Sequence, residues 1–264
     1  MPSPRVLDPE PRVPNGDGAS DAASAMPALP DTAPLPAQPL EVRVVRPSAP
    51  PLSKPEPPST ARNEGIAATS SVPDRLAVSD GEFAACKAAL SALGASFEPV
   101  SSIAEARDDD CGIERPIKVS TIAPGVVLRP DAVMRCPTAL ALAEWVRDDV
   151  LPAARALPSR GRLIAIDHGS TYVCRRRNNR STGKLSEHAF GNAVDVMGFR
   201  FSEGKPLRVE PRAPGGPAAR FQRTVRQASC EHFTTVIGPG TDRSHADHLH
   251  LDIKQRRGGY RLCR

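Results

Sequence analysis

The sequence predicts an α+β domain, a small antiparallel sheet with flanking helices, preceded by a disordered Pro-rich tail. Three observations predict it. Composition breaks near residue 76: 17 of the 29 prolines lie before residue 76, and none of the ten aromatic residues does. A segment so rich in proline and free of aromatics cannot bury enough apolar surface to offset the entropy of folding. Beyond the break, helical and strand periodicities interleave without a regular βαβ rhythm, which points to an antiparallel rather than a doubly wound sheet. Finally, all six cysteines lie in the second part and none in the first.

The elements follow in order. Residues 1–76 read as a tail or spacer, within which 49–58 (Ala-Pro-Pro-Leu-Ser-Lys-Pro-Glu-Pro-Pro) should sample polyproline II. The domain, 77–264, opens with a helix capped by Asp80, with Phe83, Cys86, Leu90 and Leu93 at helical spacing. Short strands are expected around 97–102, 116–121 and 125–129. A helix begins after Cys136 with Pro137 in its first turn. It buries Leu142, Trp145, Val146 and Val150, and Pro152 bends or ends it. A strand at 163–167, a polar loop at 174–187 and a strand at 192–201 come next. A helix at 217–231 carries Phe221, Val225 and Ala228 on one face. Strands at 235–237 and 248–253 close the domain around the turn Gly238-Pro239-Gly240.

Charge divides along the same line. Residues 1–75 carry 7 Lys/Arg against 9 Asp/Glu, a net −2, and the remainder carries 28 against 21, a net +7. A basic domain suits a polyanionic partner such as nucleic acid, anionic lipid or an acidic wall polymer, or serves solubility alone. The densest cluster, Arg175, Arg176, Arg177 and Arg180, lacks aromatic platforms, so no nucleic acid is expected. No apolar run approaches the length of a membrane span. Cys86, Cys111, Cys136, Cys174, Cys230 and Cys263 include no Cys-x-x-Cys pair and read as three disulfides of unassigned pairing, formed in an oxidising compartment. Six buried thiols in a cytosolic enzyme are the alternative. Residues 1–20 are polar and have no apolar signal core. The disulfide reading therefore expects a signal or anchor upstream of Met1, with the protein in the periplasm or cell envelope.

The histidines point to chemistry. His245-Ala-Asp-His248-Leu-His250 gathers three of the six. On a strand over 248–253, Leu249, Leu251 and Ile253 face one way and His248, His250 and Asp252 the other. Two imidazoles on one polar face suit a metal site. The second cluster is Ser186-Glu-His188-Ala-Phe-Gly-Asn-Ala-Val-Asp195-Val. Val194 and Val196 can bury while Asp195 faces the other side, and Gly191 lets the backbone turn. His188, Asp195 and His250 would give two imidazoles and a carboxylate, and three protein ligands with an open fourth position is how a catalytic zinc site is built. His168 at a strand end and His232 near a helix end read as structural, the latter serving the helix's carbonyl end.

The Ser-x-His-x-x-Gly-x-Ala-x-Asp block with a late His-x-His resembles the LAS metallopeptidases, which include lysostaphin-type endopeptidases, D-alanyl-D-alanine peptidases and the hedgehog fold. His245-x-x-His248-x-His250 also resembles the penicillin-insensitive murein endopeptidases. The wider pattern is similar to the bacterial extensin-like C-terminal domain family, over about residues 80–264. Its marks are Ser170-Thr-Tyr-Val-Cys-Arg175, the block from Leu185 to Val196, Asp247-His-Leu-His-Leu-Asp252 and Tyr260-Arg-Leu-Cys-Arg264. No Ser-Pro-Pro-Pro-Pro repeats of plant extensins occur.

The resemblance implies a hedgehog or D-Ala-D-Ala peptidase-like fold with His188, Asp195 and His250 as zinc ligands. It makes His248 the catalytic histidine. Asp247 stands where the dipeptidase branch carries a glutamate base. Regular alternation turns Asp247 away from the metal, so it serves only if the strand begins later or bulges. Arg175 sits where related peptidases carry a substrate-binding arginine, Arg177 matches that role equally, and His245 is a candidate substrate contact. The implied function is zinc-dependent peptidase action on peptidoglycan stem peptides or cross-links. The alternative is a non-catalytic cell-wall-binding scaffold that keeps the zinc site.

Overall fold

A computed structural model describes residues 72–264 of the chain. The expected tail, with its polyproline II segment, lies outside the described residues up to residue 71. The elements are α1 (Val72–Leu76), α2 (Asp80–Ala92), β1 (Ser96–Pro99), β2 (Ile103–Ala104), β3 (Gly112–Ile113), β4 (Pro116–Ala123) and β5 (Val126–Arg135), followed by α3 (Cys136–Trp145), α4 (Leu151–Arg155), β6 (Leu163–His168), β7 (Ala193–Phe201) and β8 (Leu207–Arg208), and then α5 (Pro217–His232), β9 (Thr235–Ile237), β10 (Leu249–Asp252) and β11 (Leu262–Cys263). The class is α+β. A nine-stranded sheet runs β1-β4-β5-β6-β7-β10-β9-β11, with β8 pairing β7, and β2 and β3 form a separate ribbon. Most pairs are antiparallel, while β5–β6 and β9–β11 are parallel. The first of these follows from the intervening helical segment, which carries the chain back so that β6 starts in β5's direction.

The helices assemble where patterning and caps agree. Ser79 rather than Asp80 caps α2: its hydroxyl accepts from the Glu82 amide at 3.2 Å, and the Glu82 carboxylate accepts from the Ser79 amide at 2.8 Å. Asp80 falls at the first helical position instead. This reciprocal box satisfies two amides that a helix start leaves unpaired. Pro152 does not end its helix. The chain widens into a π-helical turn, Val146–Val150, in which the Leu151 amide reaches back to the Val146 carbonyl, and then continues as α4. The wide turn absorbs the proline, which lacks an amide and crowds the preceding turn. His232 pairs with Asp149 at 2.9 Å, tying the end of α5 to that π-turn instead of to its own carbonyls.

One apolar core joins α3, α4 and α5 to one face of the sheet. Its centre is aromatic. Trp145 packs against Phe199 and Phe233 with ring centroids 6.3 and 6.4 Å apart, and Phe199 meets Phe221 edge-on at 5.0 Å. The Trp145 indole donates to the Val225 carbonyl at 2.9 Å, so its polar atom is satisfied inside. β7 serves this core with a change of phase. Val194, Val196, Phe199 and Phe201 all face inward, whereas Asp195, Met197 and Arg200 line hollows on the other side. The shift is a bulge: Asp167 pairs with Gly198 but the next residue, His168, pairs with Val196. The α1 turn lies within the segment expected to be tail, and it packs Val72 and Leu76 against Cys111, Ala189 and Phe190.

All six cysteines are bonded: Cys86–Cys136, Cys111–Cys174 and Cys230–Cys263. The first pins α2 to the start of α3, the second ties the β2–β3 ribbon to the segment after β6, and the third fastens β11 to α5. Such bonds are those of a chain that folds where thiols oxidise. Among the described residues no helix is long and apolar enough to cross a membrane.

Closing a loop of 50 residues removes denatured-state entropy worth about 4 kcal/mol. Replacing Cys86 and Cys136 together by alanine should therefore lower unfolding free energy by about that amount in urea titrations. A loss below about 1 kcal/mol would mean that packing alone holds α2 in place.

Candidate metal centre

Strand pairing builds the site. β10 runs antiparallel to β7 with His250 opposite Asp195, Leu249 opposite Val196 and Leu251 opposite Val194. Opposed residues share a face, so the apolar pairs enter the core while His250 and Asp195 meet on the other side. His188 arrives on a single 3-10 turn, Glu187–Phe190, closed by Gly191 with φ 64°. A Cβ at Gly191 would lie 2.3 Å from Ile113 Cδ1 and 3.1 Å from the Arg135 amide nitrogen, so glycine is needed for both conformation and space.

The three side chains converge. Asp195 Oδ1 lies 3.1 Å from His188 Nε2 and 3.0 Å from His250 Nδ1, and these two nitrogens are 3.1 Å apart. All three residues are buried. Their outer hydrogen bonds fix which atoms are bare. His188 Nδ1 donates to the Thr171 carbonyl at 2.9 Å, and His250 Nε2 donates to Asp252 Oδ2 at 3.1 Å. Neutral rings so held turn two nitrogen lone pairs towards a carboxylate oxygen that has no hydrogen to offer. Three lone-pair atoms in mutual contact repel unless a cation lies between them. The edges of a tetrahedral zinc site with bonds near 2.0–2.1 Å are about 3.3 Å, close to the spacing found here. Two imidazoles and a carboxylate thus fit a divalent ion, with zinc and iron(II) both chemically suited.

Without a cation, protons supply the missing charge. Burial alone would push the His250 imidazolium down, but Asp195 and Asp252 on either side outweigh it and raise its pKa to about 9. Burial likewise pushes the Asp195 carboxyl up, yet His188 and His250 hold it well below the usual carboxylate range.

A further shell orients the three. The Ser170 hydroxyl donates to Asp195 Oδ2 at 2.8 Å. Asp252, lowered despite its burial, is held by His250, the Thr235 hydroxyl and the Lys254 amide, and Arg256 donates to Thr235 at 2.6 Å. Asp252 is legible from alternation, because it shares the face of His250. Ser170 carries no such signal; it reaches the site only because the Asp195 amide pairs with the Ser170 carbonyl at 3.0 Å.

The remaining predicted residues line one open cleft of ≈ 460 Å³, which Asp195 and His250 also line while His188 lies fully buried behind them. His248 and Asp247 precede β10, which starts at Leu249, so strand alternation does not govern them. His248 Nε2 lies 3.6 Å from Asp195 Oδ1, and its Nδ1 donates to Asp247 Oδ1 at 2.9 Å. The arginine cluster separates: Arg175 reaches within 3.8 Å of Asp195, Arg176 turns to Asp108 at 3.2 Å, and Arg177 lies 3.7 Å from Glu187, which also pairs with Lys254. His245 is held by Asp242 at 2.8 Å with its ring 5.2 Å from that of His248. His168 donates to the Pro130 carbonyl at 2.7 Å and lies outside the cleft. A second grouping, Asp108 with Cys111 and Cys174, offers no thiolate because those sulfurs are bonded to each other.

The purified chain should bind one divalent ion, read by elemental analysis covering zinc and iron, and Asp195→Ala should abolish it. Asp252→Asn should weaken binding about 10- to 100-fold, since it removes the acceptor that orients His250. Unchanged affinity in both variants would show that the metal sits elsewhere. The metal-free protein should also respond to pH. A histidine raised from its ordinary 6.5 to about 9 contributes stability that is full below pH 6.5 and fades as pH rises through 9. Melting temperatures in chelator should fall over that range, and a saturating divalent ion should cancel the fall.

The chain matches the family model described as extensin-like protein C-terminus over residues 84–264. No curated protein and no solved structure matches it. The matched span is well over half of the chain and contains all three candidate ligands and all three disulfides. The chain therefore belongs to the extensin-like protein C-terminus family.

Proposed function

We propose that this domain is a zinc-dependent peptidase of the LAS type, acting on peptidoglycan peptides in the periplasm or cell envelope. The observation that carries the reading is the convergence of three lone-pair atoms beside an open cleft that Asp195, His250 and His248 line. An open cleft supports turnover over a purely structural ion, and the basic domain suits an anionic polymer.

His188, Asp195 and His250 would hold the ion. When bound, zinc supplies Lewis acidity towards water and the scissile carbonyl. The chain's own groups do the rest. His248 presents a bare Nε2 to the cleft because Asp247 accepts from its Nδ1–H. That nitrogen takes a proton from the attacking water and returns it to the leaving amine. Asp247 acts through His248 as a positioning residue, fixing its tautomer and stabilising the imidazolium. Arg175 is pointed at the centre by its approach to Asp195, and its remaining N–H groups can hold a substrate carboxylate. Arg177 is engaged with Glu187 and shapes the wall.

Digestion of purified sacculi by the zinc-loaded full chain, read by mass spectrometry, tests this. New fragments should appear and vanish with chelator. His248→Ala should keep its zinc and lose at least about 100-fold in rate. Asp247→Asn should lower kcat less than His248→Ala and shift the pH profile. Absence of fragments from protein of verified zinc content would leave a wall-binding scaffold as the better account.

A further inference from the structure

The cleft does not stop at Asp247. A second hollow of ≈ 500 Å³ adjoins it, and Asp247 and Met197 line both. Arg129 of β5, Asp167 of β6, Arg200 of β7, Arg208 of β8 and, just after it, Val209 and Glu210 form its other walls. Arg200 Nε donates to both Asp167 oxygens at 2.7 and 2.8 Å, which leaves its terminal amino groups without a partner among the described residues. Arg129 reaches the same carboxylate only at 3.9 Å. The Arg208 side chain has no hydrogen bond or ion pair among the described residues. The other acids are engaged: Glu210 with Arg212 at 2.9 Å, and Asp247 with His248. Three guanidinium groups thus share the hollow with three carboxylates, of which only Asp167 is bonded to them, so Arg208 and the terminal amino groups of Arg200 keep N–H donors in the planar fork that binds carboxylates.

We propose that this hollow is the second arm of a continuous substrate groove. A peptide bearing several carboxylates lies across the ridge of Asp247 and Met197, from Arg175 at one end to Arg208 at the other, so that the bond cleaved is internal. This rests on the peptidase reading above. An enzyme that trims a terminal residue closes its pocket just behind the scissile bond. Here the space beyond the His248–Asp247 pair stays open and holds unengaged guanidinium N–H groups. In the reaction, the water oxygen bonds to the carbonyl carbon, the C–N bond breaks, and the proton held at His248 Nε2 goes to the amine.

The test compares a cross-linked muropeptide dimer with the corresponding monomeric pentapeptide, using the zinc-loaded full chain. The dimer should be preferred at least tenfold in kcat/KM. Arg208→Glu should raise KM for the dimer about tenfold and bring the dimer-to-monomer ratio towards one. Arg223→Glu, the same charge change on the exposed side of α5, should leave the ratio unaltered. In chelator, anisotropy of a fluorescent dimer should report the same order of binding without turnover. Equal use of both substrates, or dimer binding indifferent to Arg208→Glu, overturns the second arm while leaving the peptidase reading intact. Binding that depends on Arg208, with neither substrate hydrolysed, upholds the groove and removes the peptidase reading.

Discussion

Everything in this domain depends on the register between β7 and β10. His250 stands opposite Asp195, and the residues on either side of that pair stand opposite each other as apolar couples. The same pairing therefore creates a dry interface and a polar centre, separated by the thickness of one sheet. Because side chains alternate with a period of two, a slip of β10 by one residue would drive His250 and Asp252 into the core and expose Leu249 and Leu251. The aromatic packing around Trp145 and Phe199 sits behind this register and makes such a slip costly. The candidate ligands are held by the same forces that hold the fold.

Burying a carboxylate among imidazoles is expensive unless a positive charge accompanies it. Here each ligand has an outer partner: Ser170 for Asp195, the Thr171 carbonyl for His188 and Asp252 for His250. Those partners leave the inner lone pairs no choice of direction. Such an arrangement would suit a divalent cation, and without one a proton on His250 and the nearby Arg175 guanidinium supply positive charge.

Much of this is legible in the sequence because alternation is a local rule. His250 with Asp252, and Asp195 between two valines, fall on the correct faces from spacing alone. The six cysteines announce an oxidised domain, although only three-dimensional proximity selects their partners. Where reading the chain falls short, a neighbour outside the local window decides. Ser79 displaces Asp80 as the cap because Glu82 can answer it. Pro152 stays helical because a wider turn opens before it. Asp247 escapes the alternation rule because the strand begins two residues later. Ser170 opens one of the quoted family marks, but its bond to Asp195 is not legible there, since that contact comes from a backbone pairing across 25 positions.

The bulge in β7 has an evolutionary consequence. Met197 is the supernumerary residue of that strand, and it sits where the two hollows meet. A chain lacking it would keep Val194, Val196, Phe199 and Phe201 all inward, now in unbroken alternation. The side chain at the junction would disappear, together with the carbonyl that accepts from the Val209 amide at 2.9 Å. Insertion or deletion at this point is thus a way for descendants of the fold to widen or divide the hollows without disturbing their hydrophobic interior.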